Sequence, residues 1–254
     1  MKVAKRRQAI LELVLANHGN MNVESLCSIM QVSEATVRRD LTALAGQGMI
    51  MRTYGGATHI GKQAPETSLE ERSIQSGPEK SRIARTALAH IQDNDTIVLD
   101  SGTTTATLAQ LLKERRGLHV ITNNILALPA LRELPEGRVT LLGGDLRPGS
   151  MATFGAAALA ALERLTANKV FVSADGVVAG RGLCEANADQ AWLKEKMLQQ
   201  AAEVFVLADA SKIGRDQQQH WTPLNTHWTL ITTARREALL EFEADTRITL
   251  LQAD

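Results

Sequence analysis

From residue 80 onward, short apolar runs alternate with helical stretches, and no other feature of the chain limits its fold so strongly. The runs occupy residues 96–100, 118–122, 138–142, 169–173 and 204–208, then 228–232 and 248–251. Each is too short for a buried helix and nearly free of polar residues, as expected of a strand covered on both faces. Helical patterns separate them, among them 80–91, 156–165, 188–202 and 234–242. In the first, Ile83, Ala84, Ala87, Leu88 and Ile91 recur on one face. Parallel neighbours need a crossover, and a helix supplies it. The pattern therefore predicts a doubly wound, mostly parallel α/β domain over residues 80–254.

In such a sheet a ligand sits beyond the carboxyl ends of the strands. Five strand ends here are polar: Asp100-Ser-Gly-Thr-Thr-Thr105, Thr122-Asn123-Asn124, Gly143-Gly144-Asp145, Ser173-Ala-Asp175-Gly176 and Asp209-Ala-Ser211-Lys212. Lys194 lies on the helix between the last two. At the first end, Gly102 permits a tight turn, and hydroxyls with helix N-terminal N–H groups can cradle an anion. Asp100 would repel that anion, so it suits sugar hydroxyls or holding the loop. Caps and turns explain each end singly. Five on one edge point to a hydroxylated, anionic small molecule.

The first 60 residues have another texture. Ile10, Leu13 and Val14 share a face within 4–17, before the stop His18-Gly19-Asn20. Asn22 caps a second helix carrying Val23, Leu26, Cys27 and Met30, with Met21 and Leu26 placed as a hydrophobic staple. A third helix opens at Ser33, with Val37, Leu41, Leu44 and Ala45 inward. Ala35, Arg38, Arg39 and Thr42 face away, and Thr36 flanks them. Residues 49–54 and 57–60 read as strands joined at Gly55-Gly56. Helix, helix, short turn and basic helix, followed by a wing, make a winged helix-turn-helix over residues 1–60. Ser33, Ala35, Thr36, Arg38 and Arg39 are then the candidates to meet DNA, because such a helix reads bases near its N-terminus and Arg clamps guanine or phosphate. Arg52 and Tyr54 are candidates from the wing. Arg6 and Arg7 sit at a helix start, where a phosphate partner or a solvated surface both fit. Residues 61–79 read as a linker with one helical turn near Leu69 to Arg72.

The formal net charge of 0 excludes a generally basic, DNA-coating protein. Up to residue 60, seven basic and four acidic residues leave +3, so the remainder sums to −3. Cys27 and Cys184 alone suggest neither a disulfide framework nor a metal site, and no cofactor is expected. No segment approaches a membrane span, and a cytoplasmic location is expected.

On these residues the chain resembles the DeoR family of bacterial transcriptional regulators. The head carries Ser33-x-x-Thr36-Val-Arg38-Arg39-Asp40-Leu41 and Arg52-x-Tyr54-Gly-Gly-Ala57. The body carries Glu79-Lys80-x-x-Ile83-Ala84, Asp100-Ser-Gly-Thr-Thr104, Thr122-Asn-Asn124, Gly143-Gly144, Asp175-Gly176 and Asp209-x-Ser-Lys212. The resemblance implies a body like that of sugar-phosphate isomerases that senses a phosphorylated sugar, a double-stranded DNA operator as partner, repression of a carbohydrate-use operon, and a homo-oligomer, dimer or tetramer. It implies that Ser101, Gly102, Thr103 and Thr104 hold the phosphate, and that Asp100, Asn123, Asp175, Lys194 and Lys212 meet hydroxyls or complete the anion site. The chain departs from the family at Ser173-Ala174, where many members have Gly before the Asp-Gly step. The competing reading is a sugar-phosphate isomerase with an appended DNA-binding head. Against it, Asp175-Gly176 is followed by Val177-Val178, without the second carboxylate of the isomerases, although Glu185 lies nearby. A purely architectural DNA binder would leave the polar strand ends without a purpose.

Overall fold

The structure is a computed structural model that describes residues 3–16, 21–46, 50–53, 56–59 and 68–254; for residues 4, 15–16, 51–53 and 56–59 it describes the backbone alone. The chain divides into two compact units, Met1–Ala64 and Pro65–Asp254.

The first unit runs α1 (Val3–Ala16), β1 (Met21–Asn22), α2 (Val23–Met30), α3 (Glu34–Gly46), β2 (Ile50–Thr53) and β3 (Gly56–His59). Its core joins the three helices and β2 through Ile10, Val14, Leu26, Val37, Leu41, Leu44 and Ile50. These are the positions that helical spacing brings to one face of each helix. Asn22 caps α2, its side-chain oxygen accepting from Ser25 N at 2.7 Å. The Ser33 carbonyl accepts from Thr36 and Val37 N–H at the start of α3, while its hydroxyl meets Thr36 Oγ1 at 2.9 Å. The wing is antiparallel, with Thr53 opposite Gly56. Of the expected turn at Gly55-Gly56, Gly55 lies outside the described residues and Gly56 already belongs to β3. β1 adds a third strand, Met21 facing Ala57, which two residues could not announce by periodicity.

The second unit continues with α4 (Leu69–Ile74), α5 (Gly77–Leu88), β4 (Thr96–Leu99), α6 (Thr103–Leu111), β5 (His119–Thr122), α7 (Leu128–Leu131), β6 (Arg138–Leu141), β7 (Asp145–Arg147) and β8 (Ala152–Phe154). It is completed by α8 (Ala156–Leu162), β9 (Ala167–Val172), β10 (Gly176–Val178), β11 (Gly182–Glu185), α9 (Ala188–Gln199), β12 (Ala201–Ala208), β13 (His220–Thr222), β14 (Trp228–Thr232), α10 (Leu240–Glu243) and β15 (Ile248–Gln252). Seven described strands form a parallel sheet in the order β15-β14-β12-β9-β4-β5-β6. Successive residues alternate between its two cores. Val98, Val170, Val172 and Val206 face one side with Leu193 and Met197 of α9. Ile97, Leu99, Phe171, Phe205 and Leu207 face the other with Ile83 and Ala84 of α5 and Leu108 of α6. The central strands are buried on both faces, which is why they read as nearly unbroken apolar runs.

Of residues 61–79, expected as a linker with one helical turn, those from 68 onward are described and are mostly helical. From Ser68 the chain forms α4 with a full capping box: Glu71 N donates to Ser68 Oγ, and Ser68 N donates to the Glu71 carboxylate. Pro78 then sits in the first turn of α5, where its missing N–H costs nothing. The expected turn near Leu69 to Arg72 is thus α4, which buries no residue, and the helix expected from residue 80 begins three residues earlier, at Gly77.

Candidate functional site

Strand order locates the cleft of the second unit. The chain moves from β4 outward to β5 and β6, then returns to the opposite side of β4 with β9 and β12. The crossovers thus diverge between β4 and β9, which opens a crevice at their carboxyl ends. A cleft of about 630 Å³, open mouth included, lies there.

One part of its wall suits an anion. Ser101, Gly102, Thr103 and Thr104 line it where β4 passes into α6. No side chain caps α6, so its N-terminal dipole and N–H groups are left to a ligand. Gly102 takes φ +147, and a Cβ there would collide with Ser173 Oγ. Asn124 fastens this loop by donating to the carbonyls of Asp100 and Gly102, at 3.3 and 2.9 Å. Arg72, Gln75 and Lys80 enter from α4 and α5, and Lys212 from the loop after β12. The Lys80 ammonium donates to the carbonyls of Arg72 and Gln75. Burial lowers its pKa, and the nearby Lys212 and Arg72 lower it further, against the opposing pull of Asp209. Crowded cations beside a helix N-terminus favour a negative guest.

The other part is a buried charge cluster. Lys194, 3% exposed, donates to Asp100 Oδ2 and the Ser173 carbonyl. Glu185 Oε1 lies 2.7 Å from the same ammonium without a hydrogen bond's alignment. Burial lowers the pKa of Lys194, but the carboxylates of Asp100 and Glu185 outweigh it and hold the group above its ordinary value. Burial dominates at Glu185, with Asp175 and Asp100 adding repulsion, and its pKa is pushed up to about 8 despite Lys194. The cluster thus sets a charged Lys194 between carboxyl groups that burial and mutual repulsion push toward the neutral form. Asp175 lines the cleft, one oxygen accepting from Ala186 N at 3.3 Å.

Three of the five polar strand ends meet here, those of β4, β9 and β12. The others do not line the cleft. Asn123 is wholly buried and donates to the Thr153 carbonyl at 3.0 Å, so it belongs to the packing against β8 rather than to the cleft. Gly143-Gly144 leads into the β7–β8 hairpin, where Gly144 passes close to the Phe154 carbonyl. Asp100 sits behind the wall, its Oδ1 accepting from Ser101 N at 2.7 Å. Reasoning from sequence missed Arg72 and Gln75, because the segment bearing them reads as linker. It also gave no site role to Lys80, although Lys80 stands within the Glu79-Lys80-x-x-Ile83-Ala84 motif.

On the head, Ser33, Ala35, Arg38 and Arg39 are exposed along the start of α3, and Thr36 is half-buried. Arg38 pairs with Glu34 one turn away, Nε to Oε1 at 2.8 Å. Such an exposed pair is worth about 0.3–0.5 kcal/mol and is readily exchanged for a phosphate. Arg39 has no ion pair among the described residues. Arg6 and Arg7 are committed elsewhere: both donate to Asp40, at 2.6 and 2.9 Å. Asp40 is 1% exposed, and its pKa is lowered; burial would raise it, but the two guanidiniums prevail. These arginines thus join α1 to α3. The side chain of Arg52 and all of Tyr54 lie outside the described residues.

The family model for the DeoR C terminal sensor domain matches residues 75–234, and that for the DeoR-like helix-turn-helix domain matches residues 6–63. The HTH-type transcriptional regulator IolR of Bacillus subtilis is 31% identical over 223 residues, 88% of each protein. The lactose phosphotransferase system repressor of Streptococcus mutans is 32% identical over 247 residues, 95% of this chain and 96% of that one. Among solved structures, ribose 5-phosphate isomerase A of Methanocaldococcus jannaschii aligns with a TM-score of 0.41 and 19% identity, over 54% of this chain and 55% of the other.

Proposed function

This chain belongs to the DeoR family of transcriptional regulators, and we propose that it represses a carbohydrate-use operon under the control of a phosphorylated sugar. It is a regulator rather than an enzyme, with a DNA-binding head and a sensor body. The observation that carries the effector reading is the meeting of an uncapped α6 N-terminus with Lys80, Arg72 and Lys212 around one cleft. A phosphate there gains helix N–H groups, hydroxyls and cations together. Its sugar extends toward Asp175 and the Lys194 cluster. The relative named as a lactose phosphotransferase system repressor supports the choice of a sugar operon.

The reading includes a homo-oligomer. With Arg6 and Arg7 tied to Asp40, one head offers few free cations, and affinity then comes from several heads reading half-sites about one helical turn apart. The protein works in the cytoplasm, and no described helix is long and apolar enough to cross a membrane.

The test is a thermal-shift screen of the full chain against pentose and hexose phosphates, followed by gel-shift titration of the upstream DNA with each hit. An effector should raise the melting temperature and change operator affinity about 5- to 150-fold, a coupling of about 1–3 kcal/mol. A Lys80→Ala variant should lose the melting response. If no phosphorylated sugar stabilises the protein, the effector reading is wrong.

A further inference from the structure

Away from the α6 N-terminus, the cleft wall holds a side chain whose bonding is incomplete. Gln190 stands in the first turn of α9, lines the cleft and is only 7% exposed. Its Oε1 is buried and accepts no hydrogen bond among the described residues. Lys194 lies four residues on, so the two share one face of α9, and Lys194 reaches Asp100 and the Ser173 carbonyl from that face. Lys194 is thus occupied with other acceptors. Asp175 and Glu185, 8% and 4% exposed, line the same wall. Glu185 Oε1 differs, lying 2.7 Å from the Lys194 ammonium. A buried amide oxygen left unpaired is costly and rare, and at a cleft wall the ligand is its natural partner.

We propose that Gln190 is a specificity-determining residue of the effector site, its side-chain oxygen accepting a hydrogen bond from a hydroxyl on the carbon skeleton of the phosphorylated effector, beside Asp175. This rests on the effector reading above and deepens it. Phosphate contacts hold any phosphate ester, whereas an acceptor that only a hydroxyl satisfies rejects esters lacking that hydroxyl, because Oε1 then stays unpaired. Its ligand class is a polyhydroxylated phosphate ester, set apart from methyl phosphate and from inorganic phosphate.

The test uses the full chain as wild type, Gln190→Met and Gln190→Glu. Methionine keeps the length and removes the acceptor; glutamate restores an acceptor. The probes are inorganic phosphate, methyl phosphate, the sugar phosphate giving the largest melting shift, and its monodeoxy analogues. In wild type, one deoxy analogue should bind about tenfold more weakly than its parent. In Gln190→Met the parent should weaken by the same factor and that analogue should not weaken further, while the response to inorganic phosphate is unchanged. Gln190→Glu should still discriminate, and this arm decides the matter if the methionine variant fails to fold. Full discrimination retained by Gln190→Met, or no deoxy position that matters in wild type, overturns the assignment. If wild type responds to inorganic phosphate but Gln190→Met changes nothing, the anion site stands and only Gln190 falls. If wild type responds to no probe at all, both fall.

Discussion

At the scale of residues, two buried carboxyl groups behave oppositely. Asp40 stays ionised because two guanidiniums reach it. Replacing it with alanine leaves Arg6 and Arg7 without their shared counter-ion and removes the ion-paired link between α1 and α3, whose apolar contacts remain. The head should lose about 2 kcal/mol in urea unfolding, less than for a fully buried pair because the arginines keep some water. Asp40→Asn should lose less. A head as stable as wild type in either variant would show that the bridge is incidental. Burial pushes the pKa of Glu185 up to about 8 from its ordinary 4.5, against the opposing charge of Lys194. Its contribution is thus fully present below pH 4.5 and falls as pH rises toward 8, because the unfolded chain has already released the proton. Glu185→Gln, which stays neutral, should gain in melting temperature relative to wild type between pH 5 and about 8.5. A difference independent of pH would show that Glu185 is already ionised. None of these partnerships was legible locally. Arg6 and Asp40 are 34 positions apart and Asp100 and Lys194 are 94 apart, so residue types could be named as candidates but not matched.

At the scale of elements, legibility followed periodicity. The strands of the main sheet and the inward faces of α2, α3 and α5 were readable because burial imposes a repeat on the sequence. The helix α4 was readable only as a single turn, since it buries no residue and is held by polar contacts such as its capping box and the bond from Arg72 Nη2 to the Gly149 carbonyl at 2.6 Å. The turn into α6 was readable for a different reason: Gly102 occupies a conformation that side chains rarely adopt. Gly102→Ala should cost about 1–3 kcal/mol and abolish the melting shift with the effector, because the added methyl displaces Ser173 and distorts the helix start proposed to bind the anion. An alanine variant that keeps the shift would place the phosphate elsewhere.

At the scale of the whole molecule, sheet order gathered what the chain keeps apart. The order of strand ends along the sequence suggests five equivalent loops, yet only those of β4, β9 and β12 share the crevice, since the reversal of winding falls between β4 and β9. That reversal is a property of order in space, which no run of residues records. The early placement of Arg72, Gln75 and Lys80 has a consequence for how such regulators can be recombined. The seam that composition suggests, near residue 80, is not the seam that binding respects. A chimera that takes a foreign head and joins it at residue 80 discards two cleft residues, Arg72 and Gln75, together with the carbonyls that hold the Lys80 ammonium. One joined ahead of Ser68 keeps them. The first should bind its operator yet ignore the effector, and the second should answer to it, as gel shifts with and without the sugar phosphate would report. On the proposed site, inheritance of a working sensor begins a dozen residues before residue 80, in a stretch that looks expendable.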